Sequence, residues 1–323
     1  MSSLARRVPR LVTAALLSCA AALAAAAYPD QPIKLVIGFP PGGGGDLYGR
    51  SIGTELAKQL KQPVVIENVA GAGGNIAADK VAKAPPDGYT LILAMSGNFG
   101  SSPAIRPSSM PYKVPDDFTP ISLLVETPYG LMVSENSPYK TIQDFVAAAK
   151  GGKLTYASTG TGGAAQIVME MVKQQGKLDI LHIPYKGSGP VMTDLLGGRV
   201  DSFFAPYTPL MGQIKGGKLR LLAVSSAKRV PSLPNVPTLK ESGIDVVMTQ
   251  WYGLAAPAGT PQPVIDTLQK AVKASLKAPE LLHVYRADGA QEASLEGAAF
   301  RDFIARDLAN YKRAVERGNL KAE

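Results

Sequence analysis

Cysteine, histidine and tryptophan are nearly absent from this chain of 323 residues, which has one cysteine, two histidines and one tryptophan. A structural zinc site, which needs four cysteine or histidine ligands, is therefore excluded, because the chain has only three such residues. A Ser–His–Asp triad would have to use His182 or His283, and a Cys–His nucleophile would have to use Cys19. We expect no resident metal and no cofactor.

Blocks of like charge are also missing. The 34 basic and 26 acidic residues give a formal net charge of +8 and are interspersed, whereas nucleic-acid-binding proteins concentrate basic residues in a patch or stripe. We therefore expect no nucleic-acid partner. The remaining composition, 46% hydrophobic and 19% charged, is that of a globular protein, and the length suggests two domains.

Residues 1–27 have the organisation of an export signal. Three arginines precede an apolar run from Leu11 to Leu17, and an alanine-rich stretch ends at Ala27. This order is typical of a secretory signal peptide, so we expect cleavage near Ala27 and export of the mature protein. Two alternatives stay open: a weak lipoprotein box that would leave Cys19 acylated, and twin-arginine export through Arg6-Arg7.

Strands and helices alternate along the rest of the chain. Leu35–Phe39 is a continuous apolar run, as expected for a parallel strand that is covered on both faces. Asp46 is the expected N-cap of the next helix, in which apolar residues recur every four positions from Tyr48 to Leu60. Repetition of this unit predicts an α/β protein with mostly parallel strands, divided between two sheets.

The loop Pro40–Asp46 is the most informative local motif, because four successive glycines let the backbone approach a ligand. Free N–H groups at the start of a helix favour an anion there. Nucleotide binding is not indicated: the Gly-Lys-Ser/Thr of a phosphate loop is missing, since Asp46 and Leu47 follow Gly45. Small polar loops also follow later strands, at Ser96–Asn98, Ser158–Gly163 and Tyr185–Gly189. Because ligands of parallel sheets bind beyond the carboxyl ends of the strands, these loops predict a site for a carboxylate or sulfonate.

Catalysis is not expected. Gly49–Gly53 matches the GxSxG pattern of hydrolases, but Ser51 lies inside the predicted helix instead of directly after a strand. His182 lies in the middle of a predicted strand and is interpreted as structural. A secreted hydrolase that uses Ser51 or a histidine is kept only as an alternative.

Together these motifs closely resemble the substrate-binding receptors of tripartite tricarboxylate transporters, the Bordetella-uptake-gene (Bug) family. The matching stretches run in order across nearly the whole chain after residue 27: Tyr28–Ile33, Phe39–Gly43 with Asp46, Glu67-Asn68 with Gly71–Asn75, Pro86–Leu91, Pro184–Ser188, Thr193–Gly198, Ala223-Val224 with Ser226–Arg229, and Trp251–Leu254 with Pro257–Pro261.

The resemblance implies a type II periplasmic binding fold, with two α/β lobes and a ligand cleft between them. We expect lobe 1 to comprise residues 28–123 and 227–323, and lobe 2 to comprise residues 124–226. The implied function is that of a monomeric periplasmic receptor, which captures a small organic carboxylate by cleft closure and delivers it to a membrane permease of two other subunits. A ligand-sensing module of a membrane signalling system is the alternative.

In such receptors, backbone and hydroxyl groups from loops of both lobes hold the ligand carboxylate. This implies a binding set composed of Phe39, Gly43, Gly44, Ser96, Asn98, Ser158, Thr159, Gly162 and Tyr207. The family often carries an aspartate after Phe204, suited to a ligand ammonium group, whereas this chain has Ala205. We therefore expect dicarboxylates or aromatic acids to bind better than amino acids.

Overall fold

The computed structural model describes residues 28–161, 163–185, 187–287, 290–318 and 320. The expected signal peptide and both export alternatives lie outside these residues, as does Gly162 of the expected binding set. Across the described ranges, no helix combines the length and apolar character needed to cross a bilayer.

Strands and helices alternate through most of the described chain, as the sequence pattern predicts. The strands are β1 (Ile33–Ile37), β2 (Val64–Asn68), β3 (Thr90–Met95), β4 (Phe118–Ser134), β5 (Leu154–Ser158), β6 (Ile180–Pro184), β7 (Ser202–Pro206), β8 (Leu219–Val224), β9 (Thr249–Pro257) and β10 (Gln291–Glu292). The helices are α1 (Gly44–Leu60), α2 (Asn75–Ala82), α3 (Ser102–Ile105), α4 (Ile142–Lys150), α5 (Ala164–Gly176), α6 (Ser188–Leu196), α7 (Met211–Lys215), α8 (Gln262–Ser275), α9 (Pro279–Ala287) and α10 (Gly297–Gly318).

Strand β4, 17 residues long, joins two sheets. Its first part pairs antiparallel with β9, from Phe118 to Pro128, in a sheet ordered β2-β1-β3-β9-β4-β10. Its last part pairs antiparallel with β7 and β8, in a sheet ordered β6-β5-β7-β4-β8. We call the regions around these sheets lobe 1 and lobe 2. The prediction of two α/β lobes is therefore confirmed.

The directions of the strands make the loops of the two lobes face each other. In lobe 1, β1, β2 and β3 are mutually parallel and run in the direction of β4, towards lobe 2, because β9 lies antiparallel to both β3 and β4. In lobe 2, β5, β6 and β7 are parallel to each other and antiparallel to β4, so they run back towards lobe 1. The loops that follow these six strands therefore line opposite sides of one interlobe region.

The chain returns from lobe 2 to lobe 1 beside β4. The Ser225 hydroxyl accepts a hydrogen bond from the amide of Tyr129 (2.9 Å) and donates one to the carbonyl of Met248 (2.5 Å). The two interlobe crossings are thus bonded to each other. Helix α10 packs on β4, on α3 of lobe 1 and on α5 of lobe 2, so it contacts both lobes.

The start of α1 differs from the sequence prediction. The helix begins at Gly44 with Gly43 as its N-cap, so the assignment of Asp46 as N-cap is wrong. Asp46 lies in the first turn, where its carboxylate reaches back to the amide of Gly42 (3.1 Å) and also accepts a hydrogen bond from Arg50 four residues later (2.8 Å). Residues four positions apart lie on the same face of a helix, which brings Asp46 and Arg50 together.

Candidate functional site

The loops after β1, β2 and β3 meet at the ring of Phe39. A Cβ atom placed on Gly74 would lie 3.1 Å from Phe39 Cε2, and one on Gly97 would lie 3.9 Å from Phe39 Cζ. Gly74 also has a φ of +91°, which side-chain-bearing residues rarely adopt. Glycine at position 74 therefore serves both the backbone conformation and the close approach of the ring.

The glycine-rich loop lies on the same edge and leaves the start of α1 open. Gly43 is exposed, and no atom of the described residues lies within 4 Å of the position that a Cβ on it would take. As the N-cap, it forms no side-chain cap hydrogen bond. Gly44 is half-buried against the hydroxyl of Tyr252. The first-turn N–H groups of a helix have no acceptor within it. This part of the loop can therefore present backbone donors to an anion.

Asn68, at the end of β2, anchors the glycine-rich loop. Its Nδ2 donates to the Phe39 carbonyl (2.9 Å) and to Asp46 Oδ1 (3.1 Å), and its Oδ1 accepts from Arg50 Nη2 (3.0 Å). The hydrogen bond from Arg50 is the main cause that lowers the pKa of Asp46 below its usual value. The Asp46 carboxylate is thus engaged by Arg50 and Asn68, which limits its repulsion of an anionic ligand.

Replacing Asn68 with Ala should loosen this loop. The variant loses three side-chain hydrogen bonds, one of them to a carboxylate, and we expect the free energy of unfolding to fall by about 2 kcal/mol. Chemical denaturation of the wild-type and variant proteins measures this difference. Asn136→Ala, at an exposed position, is the matched control and should change stability by less than about 0.5 kcal/mol. An equal, small effect of both substitutions would show that Asn68 does not anchor the loop.

Asn98 supplies a buried donor at the end of β3. Its Oδ1 accepts the amide of Met95 (3.0 Å), and its carbonyl accepts the hydroxyl of Tyr112 (2.7 Å). Its Nδ2 has no hydrogen-bond partner among the described residues and is fully buried. A Cβ on Gly74 would lie 3.4 Å from this nitrogen. Because a buried N–H group without an acceptor is costly, Asn98 Nδ2 is a candidate to bind a ligand oxygen.

Ser96 of the expected set lies on the side of the same turn that faces β4 and α10. Its side chain is fully buried next to the phenols of Tyr129, on β4, and Tyr311, on α10. Burial raises the pKa of Tyr129 to about 12, and its hydroxyl donates to Gln250 Oε1 (3.3 Å). Ser96 therefore connects the end of β3 with the interlobe crossing and with α10.

The lobe 2 members of the expected set differ in exposure. Thr159 is exposed, whereas Ser158 is buried, with its Oγ 2.7 Å from His182 Nε2 and 2.9 Å from the Gly160 carbonyl. Tyr207 is fully buried and packs against Gly130 of β4, where a Cβ would lie 3.2 Å from the Tyr207 Cβ. The Ser158 hydroxyl is thus engaged within lobe 2. No motif in the sequence indicates its contact with His182.

The loops of lobe 1 and those of lobe 2 come close to each other at α5. This helix follows the Ser158 loop and lies beside the turn at residues 97–101 of lobe 1. In the sequence, the loops Phe39–Gly45, Ser96–Asn98 and Ser158–Gly162 contain no lysine or arginine, whereas the loop after β6 contains Lys186. The Ser51 hydroxyl donates to the Leu47 carbonyl (2.7 Å) within α1, which is not the geometry of a nucleophile elbow. Within the described ranges, no three His, Cys, Asp or Glu side chains cluster to hold a metal ion.

Comparison with known proteins identifies the family. The model of the tripartite tricarboxylate transporter family receptor, TctC, matches residues 49–320. The chain belongs to this family. Protein BugT of Bordetella pertussis is 33% identical to it over 305 residues, which cover 94% of each chain.

Solved structures of similar proteins include two from Rhodopseudomonas palustris. Rpa4515 with adipate has a TM-score of 0.81 and 29% identity, and the match covers 91% of this chain and 99% of that one. MatC with bound malate has a TM-score of 0.76 and 31% identity, with coverage of 89% and 100%. The identification as a Bug-family receptor with a periplasmic binding fold is therefore confirmed. Proteins of the TctC family are periplasmic solute-binding receptors and not a family of enzymes.

Proposed function

We propose that this TctC receptor captures a small organic carboxylate between its lobes by cleft closure and delivers it, as a monomer, to a two-subunit membrane permease. Lobe 1 comprises residues 28–123 and 227–323 in this proposal, and lobe 2 comprises residues 124–226. The ligand is held by the binding set Phe39, Gly43, Gly44, Ser96, Asn98, Ser158, Thr159, Gly162 and Tyr207. The adipate and malate in the structures of related proteins support a carboxylate as the ligand class.

The observation that carries this proposal is Asn98 Nδ2, which has no hydrogen-bond partner in the described part of the chain. It is a buried donor beside Phe39 and Gly74, where three loops of lobe 1 converge. A carboxylate oxygen would accept a hydrogen bond from this donor and further hydrogen bonds from the N–H groups at the start of α1. Preorganised neutral donors of this kind bind an anion without an ion pair.

Closure follows from the placement of donors on both lobes. A ligand that contacts loops of lobe 1 and lobe 2 at once stabilises the closed arrangement relative to the open one. The β7 end carries Ala205 and Pro206 instead of an acidic residue. No side chain there can pair with a ligand ammonium group, so dicarboxylates and aromatic acids are favoured over amino acids.

A thermal-shift screen over organic acids tests the proposal on the mature protein. A bound acid at about 100 times its Kd should stabilise the fold by about 2.7 kcal/mol, which raises the Tm by about 5 °C. Asn98→Asp keeps the shape of the side chain but replaces the donor with an anion, so it should abolish the shift. Asn136→Asp is the control. A screen in which no acid raises the Tm, or in which an amino acid gives the largest shift, would overturn the proposal.

A further inference from the structure

The turn that carries Asn98 contains a proline at a place where a backbone donor would be needed. Residues Gly97–Ser101 form a π-helical turn, in which the amide of Ser102 bonds to the Gly97 carbonyl five positions earlier. The residue at the same spacing from Asn98 is Pro103, which has no N–H group to donate. The Asn98 carbonyl therefore needs a donor from another part of the chain.

Tyr112 supplies this donor. Its hydroxyl donates a hydrogen bond to the Asn98 carbonyl at 2.7 Å. The residue is buried, and burial is the main cause that raises the pKa of its phenol above the usual value, so the hydroxyl stays protonated. The ring packs edge-on against Phe118 at the start of β4, with ring centroids 5.7 Å apart and an interplanar angle of 83°. This packing holds the hydroxyl at a fixed place beside the Asn98 turn.

The same hydroxyl contacts a second segment of the candidate site. It lies 2.8 Å from Asn75 Oδ1, so its proton faces two acceptors, one at the start of α2 and one in the loop after β3. Asn75 is the first residue of α2 and directly follows Gly74, which lies beside Asn98 Nδ2. Both asparagines are buried. Tyr112 thus connects the two segments that meet at Asn98 Nδ2.

Two hydrogen bonds determine where Asn98 Nδ2 lies. The amide of Met95 donates to Asn98 Oδ1 at 3.0 Å, which orients the carboxamide. The Tyr112 hydroxyl fixes the carbonyl of the same residue, and with it the turn from which the side chain extends. Loss of the hydroxyl would therefore release the turn, although the donor itself would still be present.

We propose that Tyr112 is a positioning residue for the carboxylate site, whose hydroxyl holds the Asn98 turn so that Asn98 Nδ2 is presented to a ligand oxygen. This inference rests on the proposed function and adds to it a residue that acts through Asn98 and lies outside the binding set. Without the hydroxyl, Asn98 takes up other positions and donates a poorer hydrogen bond. Ligand affinity then falls while the chain keeps its fold.

The first test needs no ligand and uses Tyr112→Phe, which keeps the buried ring and removes only the hydroxyl. Because the amide of Met95 bonds to the Asn98 side chain, hydrogen exchange at this amide reports whether Asn98 stays in place. We expect the Met95 amide to exchange about tenfold faster in the variant than in the wild type, relative to the other amides of β3. Unchanged exchange at Met95 would overturn the proposal.

The second test measures affinity by calorimetry, with adipate and malate as probes. Tyr112→Phe should bind about tenfold more weakly than the wild type, as expected for one impaired ligand hydrogen bond. Tyr285→Phe is the matched control, because Tyr285 is also buried in lobe 1 but its hydroxyl has no hydrogen-bond partner among the described residues. The control should bind like the wild type. Wild-type affinity in Tyr112→Phe would overturn the inference and leave the carboxylate receptor unaffected.

Thr141→Ala separates positioning from a general loss of stability. Thr141 caps α4 in lobe 2, where its side chain accepts a hydrogen bond from the amide of Asp144 at 3.1 Å. Its replacement should destabilise the fold about as much as loss of the Tyr112 hydroxyl does, yet leave the affinity unchanged. An equal loss of affinity in both variants would contradict a positioning role. If no acid bound to the wild type, the proposed function and the expected effect on affinity would both fail, while the exchange of the Met95 amide would still decide whether Tyr112 positions Asn98.

Discussion

At about pH 8, Asp307→Asn should be more stable than the wild-type chain by up to about 4 kcal/mol, and the difference should vanish below about pH 4. Asp307 lies on α10, and burial is the main cause that raises its pKa from 3.8 to about 7, with a smaller contribution from the charge of Glu126. The Trp251 indole donates to its Oδ2 at 2.8 Å, which opposes this rise in pKa.

The direction of this pH dependence follows from proton binding by Asp307 in the folded and unfolded states. The folded chain holds the Asp307 proton more tightly than the unfolded chain does, so the unfolded state loses it first as pH rises. The contribution of Asp307 to the free energy of unfolding therefore falls between about pH 4 and about pH 7 and is constant above that range. Asparagine cannot ionise, yet its Oδ1 can still accept the hydrogen bond from Trp251.

Chemical denaturation of both proteins across this pH range measures the effect. Asp302→Asn replaces an exposed carboxylate on the same helix and serves as the control. The stability of the Asp302 variant should follow the wild-type pH curve. Parallel curves for the wild type and Asp307→Asn would contradict the assignment of this pH dependence to Asp307.

Gly74→Ala should weaken ligand binding at least about tenfold. The new Cβ would lie 3.1 Å from Phe39 Cε2, so the ring must shift, and at 3.4 Å from Asn98 Nδ2 it would occupy space beside this donor. Blocking one donor in this way costs on the order of one ligand hydrogen bond. The φ of +91° adds a loss of folding stability of about 1 kcal/mol.

Gly243→Ala is the matched control for this substitution. Gly243 also has a positive φ, +85°, but nothing lies within 4 Å of its Cβ position. Both variants should lose stability in chemical denaturation, and only Gly74→Ala should lose affinity for the acid found by thermal shift. Equal affinity in the two variants would show that the contact of Gly74 with Phe39 and Asn98 does not shape the site.

Local sequence signals predicted several elements well. The apolar stretches Thr90–Met95 and Leu219–Val224 predict two strands from sequence alone, and they coincide with β3 and β8. The sequence pattern at 141–150 likewise predicts a helix, which is α4, preceded by Thr141, whose side chain and that of Asp144 form a capping box. These elements carry their own hydrophobic periodicity and caps, so a short window of sequence is sufficient to recognise them.

Elements and contacts that depend on residues far apart in the sequence could not be predicted from local patterns. The first part of β4 was not predicted because it contains two prolines and pairs with β9, more than 100 residues later. The contact between Ser158 and His182 joins residues 24 positions apart. That Asn98 Nδ2 has no hydrogen-bond partner among the described residues is visible only in the folded structure. The residue types at the strand ends were predictable, but which of their polar atoms are already engaged was not.

Calorimetric titration of the mature protein with matched ligands tests the central claim most directly. The best acid from the thermal-shift screen is compared with its neutral amide and with the corresponding amino acid. Because the proposed site holds the carboxylate through neutral donors, the acid should bind at least about fivefold more tightly than the amide, and also more tightly than the amino acid. Equal affinity for acid and amide would contradict recognition of a carboxylate, and a preference for the amino acid would contradict the role assigned to Ala205.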